Sequence, residues 1–235
     1  MRDWVCGFFM AWGMFLAIPC PRKIWSESAR QKMLVAGGVW AGAWLLLRGA
    51  PGPVRAAVCA AAPWLVTGFM HLDGYMDVCD AVLSRRDLAT RQRILKDSHC
   101  GAFAVICMVL LAMGQWSLFL AAEDVSWLGL LLIPAATRAC AGLAVLGLRP
   151  MGTSQYAAMG PARGGYGAAL WVLLALSVGL PLWLDGSFGP LAAAAGYGLA
   201  VWYGFRNLDG MSGDISGFAL TIGELCGCGA AILWR

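Results

Sequence analysis

The sequence predicts an all-α, polytopic integral membrane bundle of about six to eight membrane segments, and three observations predict it. Hydrophobic residues make up 60% of the 235-residue chain against 13% charged, with a mean hydropathy of +0.69, more apolar side chain than a soluble domain can cover. The apolar runs approach the roughly 20 residues that a helix needs to cross a bilayer. The loops between them are short, so residues 1–235 form a single membrane-embedded domain.

Spans are expected near 4–19, 33–47, 54–70, 101–121, 127–148, 166–184, 188–205 and 215–234. The first two are short enough to be tilted, interfacial or re-entrant, which sets the range in the count. The opening run is rich in Trp and Phe and ends in Pro19-Cys20-Pro21 rather than a small-residue cleavage site, unlike a cleavable leader. Nine cysteines are scattered through apolar runs without a CxxC pair, as small core residues in a reducing compartment would be. A net charge of +4, dispersed along the chain, argues against nucleic acid as a partner.

Basic residues sort the loops. If residues 20–32 are cytoplasmic, alternation puts 71–99, 149–165 and 206–214 on the same side, and these four segments hold 12 of the 17 basic residues. The opposite loops carry only Arg48 and Arg55, with Glu123, Asp124 and Asp185 among them. The positive-inside rule therefore gives one topology, with the most polar segments on a cytoplasmic face. The side on which Arg2 and Asp3 lie depends on whether the first segment spans or re-enters.

The most informative stretch is His71-Leu72-Asp73-Gly74-Tyr75-Met76-Asp77-Val78-Cys79-Asp80. Asp73, Asp77 and Asp80 fall at i, i+4 and i+7 and share one helix face. Three like charges on one stripe repel, and a divalent cation with hard oxygen ligands is the natural counter-charge. A continuous helix from Val54 to Ser84 would be roughly 45 Å long against a hydrocarbon core of about 30 Å, carrying the acidic turns into the headgroup zone. A solvated helix end would also carry acids, but it would not need them on one stripe.

A second cluster, Lys96-Asp97-Ser98-His99, closes a basic amphipathic segment that starts at Ser84-Arg85-Arg86-Asp87, which has the form of a capping box. Leu88, Ile94 and Leu95 would rest on the membrane while Arg85, Arg86, Arg91 and Arg93 set topology or face a polyanion. Asp97 precedes the next span and can return to the depth of Asp73–Asp80, so four carboxylates would suit a metal-plus-base or two-metal site. The third cluster is Asn207-Leu208-Asp209-Gly210-Met211-Ser212-Gly213-Asp214, whose glycines allow the close backbone approach that phosphates need. Arg138 and Glu224 lie inside apolar spans, where they either pair with each other or leave Arg138 to bind phosphate. Gly213/Gly217 and Gly223/Gly227 have the four-residue spacing of tight helix packing.

His71-Leu72-Asp73-Gly74, Asp77, Asp80, Lys96-Asp97-Ser98 and Ser212-Gly213-Asp214 resemble the cobalamin synthase family, adenosylcobinamide-GDP ribazoletransferases. Phe15-Leu16-Ala17-Ile18-Pro19, Pro134-Ala135-Ala136-Thr137-Arg138 and Glu224 extend the likeness over most of the chain. The departures are Ala81, where many members have Gly, Asp209 and Ser212 in the third cluster, and a loose fit over Leu148–Gly160. The resemblance implies a magnesium-dependent enzyme of the bacterial or archaeal inner membrane. Such an enzyme joins adenosylcobinamide-GDP to α-ribazole or its 5′-phosphate, releasing GMP and giving adenosylcobalamin or its 5′-phosphate.

On that reading Asp73, Asp77, Asp80 and Asp97 are the metal ligands, and Asp97 is first choice for general base. His71 and His99 are the alternatives, each equally suited to a helix-end hydrogen bond. Lys96, Ser98, Arg138, Arg206, Gly213 and Asp214 are the candidate substrate contacts. The expected partners are the two substrates and membrane lipid; metal number and oligomeric state stay open, a homodimer among the options. Rival readings are a CDP-alcohol phosphatidyltransferase, an aromatic prenyltransferase, and an ion-coupled transporter. A transporter would place its acids near the membrane midplane rather than at one face.

Overall fold

A computed structural model describes residues 39–152, 154 and 166–234, and among these the chain is helical throughout apart from short connections. In chain order the helices are α1 (Val39–Leu46), α2 (Gly52–Val66), α3 (Met70–Leu83), α4 (Leu88–Ile94), α5 (Ala102–Ala121), α6 (Trp127–Gly147), α7 (Tyr166–Asp185), α8 (Gly189–Leu208) and α9 (Gly213–Leu233). The expected span 4–19, residues 33–38 of the expected span 33–47, the Phe15–Pro19 pattern and Arg163 lie outside the described residues.

Among the described residues four helices, α5, α6, α7 and α9, are long and apolar enough to cross a membrane, and α2 with α3 makes a fifth if the bent pair counts as one span. Over the described residues alone this does not reach the six to eight expected of the whole chain. One reason is α8: the predicted span 188–205 is indeed a helix of 20 residues, but its glycines, tyrosines, Arg206 and Asn207 take it out of the strongly apolar set. α5 and α7 turn broad apolar faces outward, with Leu110 62%, Trp171 62% and Trp183 82% exposed, as lipid-facing surfaces do.

One correction concerns the expected continuous helix from 54 to 84. It breaks after Val66, and α2 and α3 meet at 91°. Thr67 donates its hydroxyl to Pro63 O at 2.8 Å, and Phe69 N–H reaches Trp64 O at 2.8 Å, so the last carbonyls of α2 are used within the break. Gly68 and Phe69 both take positive φ, 61° and 63°. Glycine does so freely; Phe69 does so at a cost that the surrounding packing must hold. The acidic turns therefore start a new helix in a new direction instead of prolonging the first.

α3 has two faces. Leu72, Tyr75, Val78, Cys79 and Val82 are buried in the main core with Leu208, Met211, Ile215, Ala219 and Leu220, whereas Asp73 is exposed and Asp77 and Asp80 are half-buried. Tyr75 stacks on Phe218 with ring centroids 5.8 Å apart, fixing α3 against α9. The two backbones come so close that a Cβ on Gly74 would lie 2.9 Å from Asp214 O, and one on Gly217 would lie 3.0 Å from His71 O. Gly223 and Gly227 make the same kind of contact against Ala193 and Gly189 of α8, as their spacing predicted.

Because a side chain at position 74 meets backbone rather than a movable side chain, Gly74→Ala should destabilise the detergent-solubilised protein by about 1–3 kcal/mol. A lowered midpoint in a thermal aggregation assay is the expected outcome. An unchanged midpoint would show that α3 and α9 can part without loss.

Candidate active site

An open cleft of about 250 Å³ lies beside the acidic face of α3, lined by Asp73, Asp77 and Asp80 of α3, Ile94 of α4, and Asp97, Ser98 and His99 of the connection to α5, among others. The stripe at 73, 77 and 80 and the later Asp97 thus share one cavity. The link comes from the chain between α3 and α5. Ser84 Oγ donates to Ala81 O at 2.6 Å and Arg85 takes φ 54°, which ends α3 and turns the chain. The cap of α4 is Asp87, not Ser84 as the capping-box pattern suggested: its carboxylate accepts from Thr90 N at 3.2 Å and Thr90 Oγ1 at 2.7 Å. These hydrogen bonds, the Thr90 hydroxyl first, hold the Asp87 carboxyl below its usual range. The chain then returns through Leu95, which is buried, to Asp97.

At the mouth of the cleft Gly101 opens α5, and a Cβ there would fall 2.1 Å from the Asp80 carboxylate oxygens, so glycine is what leaves Asp80 its place. Asp77 is surrounded by like charges, with Asp73, Asp214 and Asp80 all acting on it. Asp214 enters because α9 begins against Gly74; Ser212 caps that helix by accepting from Ile215 N at 3.3 Å. The acidic group therefore draws on three places in the sequence. Its donors are hard oxygens, which suit a divalent cation bound through one or two carboxylates with water completing its shell. Among the described residues, no three His, Cys, Asp or Glu side chains converge into a ready-made cage.

Asp97 and His99 form a local unit. The His99 ring Nδ1 stands 2.6 Å from Asp97 Oδ1, and the His99 backbone N–H donates to the same oxygen at 3.0 Å. The ring contact first, then the backbone bond, holds the Asp97 carboxyl below its ordinary value. Both side chains are exposed, so the effect is screened by water.

The remaining predicted site residues stand elsewhere. Lys96 is exposed next to Asp97 but is not part of the cleft lining. His71 is buried at the start of α3, its carbonyl accepting from Thr221 Oγ1 at 3.3 Å. Arg206 is exposed, with its guanidinium 5.7 Å from the Trp202 ring centroid. Gly213 opens α9 beside Asp214. Arg138 is ion-paired with Glu224 and also donates to Thr137 Oγ1 at 3.3 Å, which is the pairing alternative read from the sequence.

Sequence reasoning missed two contacts. Arg91, expected to face headgroups or a polyanion, instead reaches Asn207, 116 positions away. Residues 149–151 run beside 209–211, with Met151 N–H to Met211 O at 2.8 Å and an Arg149–Asp209 ion pair. No local pattern signals either one.

Apolar helices around a carboxylate-lined cleft between α3 and the segment leading into α5 define a membrane-type helical protein with a polar site. The chain belongs to the cobalamin-5-phosphate synthase family, whose profile it matches over residues 7–232. Among curated relatives, the adenosylcobinamide-GDP ribazoletransferase of Clostridium perfringens (strain 13 / Type A) is 32% identical, over 93% of this chain and 94% of that one. Those of Clostridium botulinum (strain Alaska E43 / Type E3), 31% identical over the whole of both chains, and Thiobacillus denitrificans, 34% identical over 93% and 91%, carry the same name. No solved structure matches.

Two outcomes follow from this geometry. Glu224→Ala leaves Arg138 largely buried without its carboxylate and should cost about 3–5 kcal/mol, whereas Arg138→Met combined with Glu224→Leu should recover most of that, as thermal midpoints would read. His99→Ala should raise the Asp97 titration toward the ordinary carboxylate range, followed by carboxyl carbon NMR. Since the folded pKa of Asp97 is depressed, the stability this contact contributes is present above the unfolded value and lost as pH falls through the folded one.

Proposed function

We propose that this chain catalyses adenosylcobinamide-GDP ribazole transfer in the cytoplasmic (inner) membrane of a bacterium, with the cleft facing the cytoplasm. In this reaction a hydroxyl of α-ribazole or its 5′-phosphate attacks the cobinamide-side phosphorus of the diphosphate. The new P–O bond forms as the anhydride bond to GMP breaks in line, and adenosylcobalamin or its 5′-phosphate results. The observation that carries the reading is the convergence of Asp97 with Asp73, Asp77 and Asp80 on one cleft, in a chain that belongs to this family over nearly its full length.

Each residue has a part set by its place. One or two of Asp73, Asp77, Asp80 and Asp97, with water completing the shell, would hold magnesium, which when bound neutralises the charge of the diphosphate and of the departing phosphate. Asp97, in the cleft wall, is placed to take the hydroxyl proton, and its contact with His99 orients the carboxylate. Ser98 lines the cleft and can donate to a phosphate oxygen. Lys96 and the exposed Arg85, Arg86 and Arg93 lie on the segment between α3 and α5 that carries Asp97, and their positive charge favours a polyanionic substrate and a cytoplasmic orientation. Asp214, close to Asp73, can accept from acceptor hydroxyls or join the metal shell.

The test is GMP release by purified, detergent-solubilised protein supplied with adenosylcobinamide-GDP, α-ribazole 5′-phosphate and magnesium. Release that requires both acceptor and metal, with a corrinoid product, is expected. Asp73→Asn and Asp77→Asn should each reduce turnover by at least about 100-fold while the protein still inserts and elutes as wild type. Full activity in either variant would remove that residue from the essential set. Absence of GMP release from folded protein, with CMP or diphosphate release from other substrates, would move the chain to a neighbouring transferase class.

A further inference from the structure

Two segments from distant parts of the chain bring further acidic residues to the α3 stripe. One is α4 and the turn after it, which ends in Asp97 and Ser98. The other is the junction of α8 and α9, which leads through Ser212 to Asp214. α4 is seven residues long and none of them is fully buried; its packing is confined to its C-terminal end, where half-buried Ile94 and the buried Leu95 after it meet the core. The rest of the helix is tied to the body of the protein by a small set of side-chain bonds. Arg91 Nη1 donates to Asn207 O at 3.1 Å and Asn207 Oδ1 at 2.9 Å, while Gln92 Nε2 donates to Leu208 O at 2.8 Å.

The acceptors are suited to this use. The carbonyls of Asn207 and Leu208 belong to the last turn of α8 and have no partner further along the helix, and a cation at a helix C-terminus is favoured by the helix dipole. Asn207 Nδ2 donates to Tyr203 O at 2.9 Å, which turns its Oδ1 toward Arg91. On its own side Arg91 is stiffened by a bond from Nε to Arg86 O at 2.7 Å. Backbone bonds then carry the position onward: Leu95 N–H to Arg91 O at 3.0 Å and Asp97 N–H to Ile94 O at 2.9 Å. Arg91 itself does not line the cleft.

We infer that Arg91 is a positioning residue for the transfer, locking the Asp97 wall of the cleft to the α8–α9 junction that carries Asp214. Its charge is spent on Asn207 rather than on substrate, in contrast to the exposed Arg85, Arg86 and Arg93 around it. Loosening it lets Asp97 drift from the other carboxylates without removing any group that touches substrate. The inference rests on the transferase reading for its kinetic part only; the lock itself can be measured without turnover.

The experiment compares wild type with Arg91→Ala, Arg91→Lys, Asn207→Ala and the double variant Arg91→Ala/Asn207→Ala, in detergent. Hydrogen exchange without substrate should rise in Arg91→Ala at residues 95–101 and 207–214, and stay unchanged in α5 and α7. For GMP release, Arg91→Ala should lose about 10- to 100-fold in kcat, the scale of a misplaced reacting group, with the KM for adenosylcobinamide-GDP unchanged. Arg91→Lys, which keeps the charge, should recover part of the loss, and the double variant should lose no more than Arg91→Ala alone. Unaltered exchange at 95–101, or unaltered kcat, would overturn the inference, as would a raised KM at constant kcat, which marks a direct substrate contact. If Arg91→Ala does not fold, Asn207→Ala and Arg91→Lys carry the same comparison in milder form. A wild type that releases no GMP would overturn the transferase reading instead, leaving the exchange result to decide on the lock.

Discussion

The backbone contact between α3 and α9 is the constraint on which the rest depends. Gly74 and Gly217 let the two helices meet with no side chain between them, and Tyr75 on Phe218 fixes their rotation. Once that contact is made, the apolar face of α3 must turn inward and its acidic face outward, because the two sets of residues alternate around one helix. The same contact delivers the first turn of α9, and with it Asp214, to Asp73. A tight apolar packing event thereby assembles a polar site.

That arrangement accumulates negative charge beside a cleft that is open to water, where solvent and a bound cation can screen it. The electrostatics inside the bundle follow the opposite logic. Arg138 and Glu224 are both largely shielded, and each is the other's compensation; separated, either would be a charge in an apolar setting. The protein thus keeps its buried charges neutralised in a pair and leaves its unneutralised ones at an accessible edge. An anionic substrate and a cation can reach that edge.

Much of the site was legible in local spacing. A separation of four and then three residues is enough to put Asp73, Asp77 and Asp80 on one face whatever surrounds them, and a polar turn just before an apolar run is enough to return Asp97 to the same depth. For Arg138 and Glu224 local reading left two options, a mutual pair or a phosphate on Arg138, because charges within spans have few others. The break at Gly68–Phe69 was not legible: the apolar character runs on without interruption, and Phe69 has no intrinsic preference for the left-handed conformation it adopts. Nor did α4 show its anchorage, since a basic amphipathic segment reads alike whether its arginines face lipid, solvent or a helix end.

By itself, then, the sequence determined what depends on composition and short-range periodicity: a helical membrane protein, its apolar segments from α5 onward, the acidic stripe, and the family to which its motifs belong. Only the tertiary structure decided the 91° turn between α2 and α3, the approach of Asp214 to the stripe, and the docking of Arg91 on Asn207. The physical reason is the same in each case. These features are set by which distant backbones can touch and which unsatisfied carbonyls they expose, and that follows from the packed arrangement of helices rather than from any local run of residues.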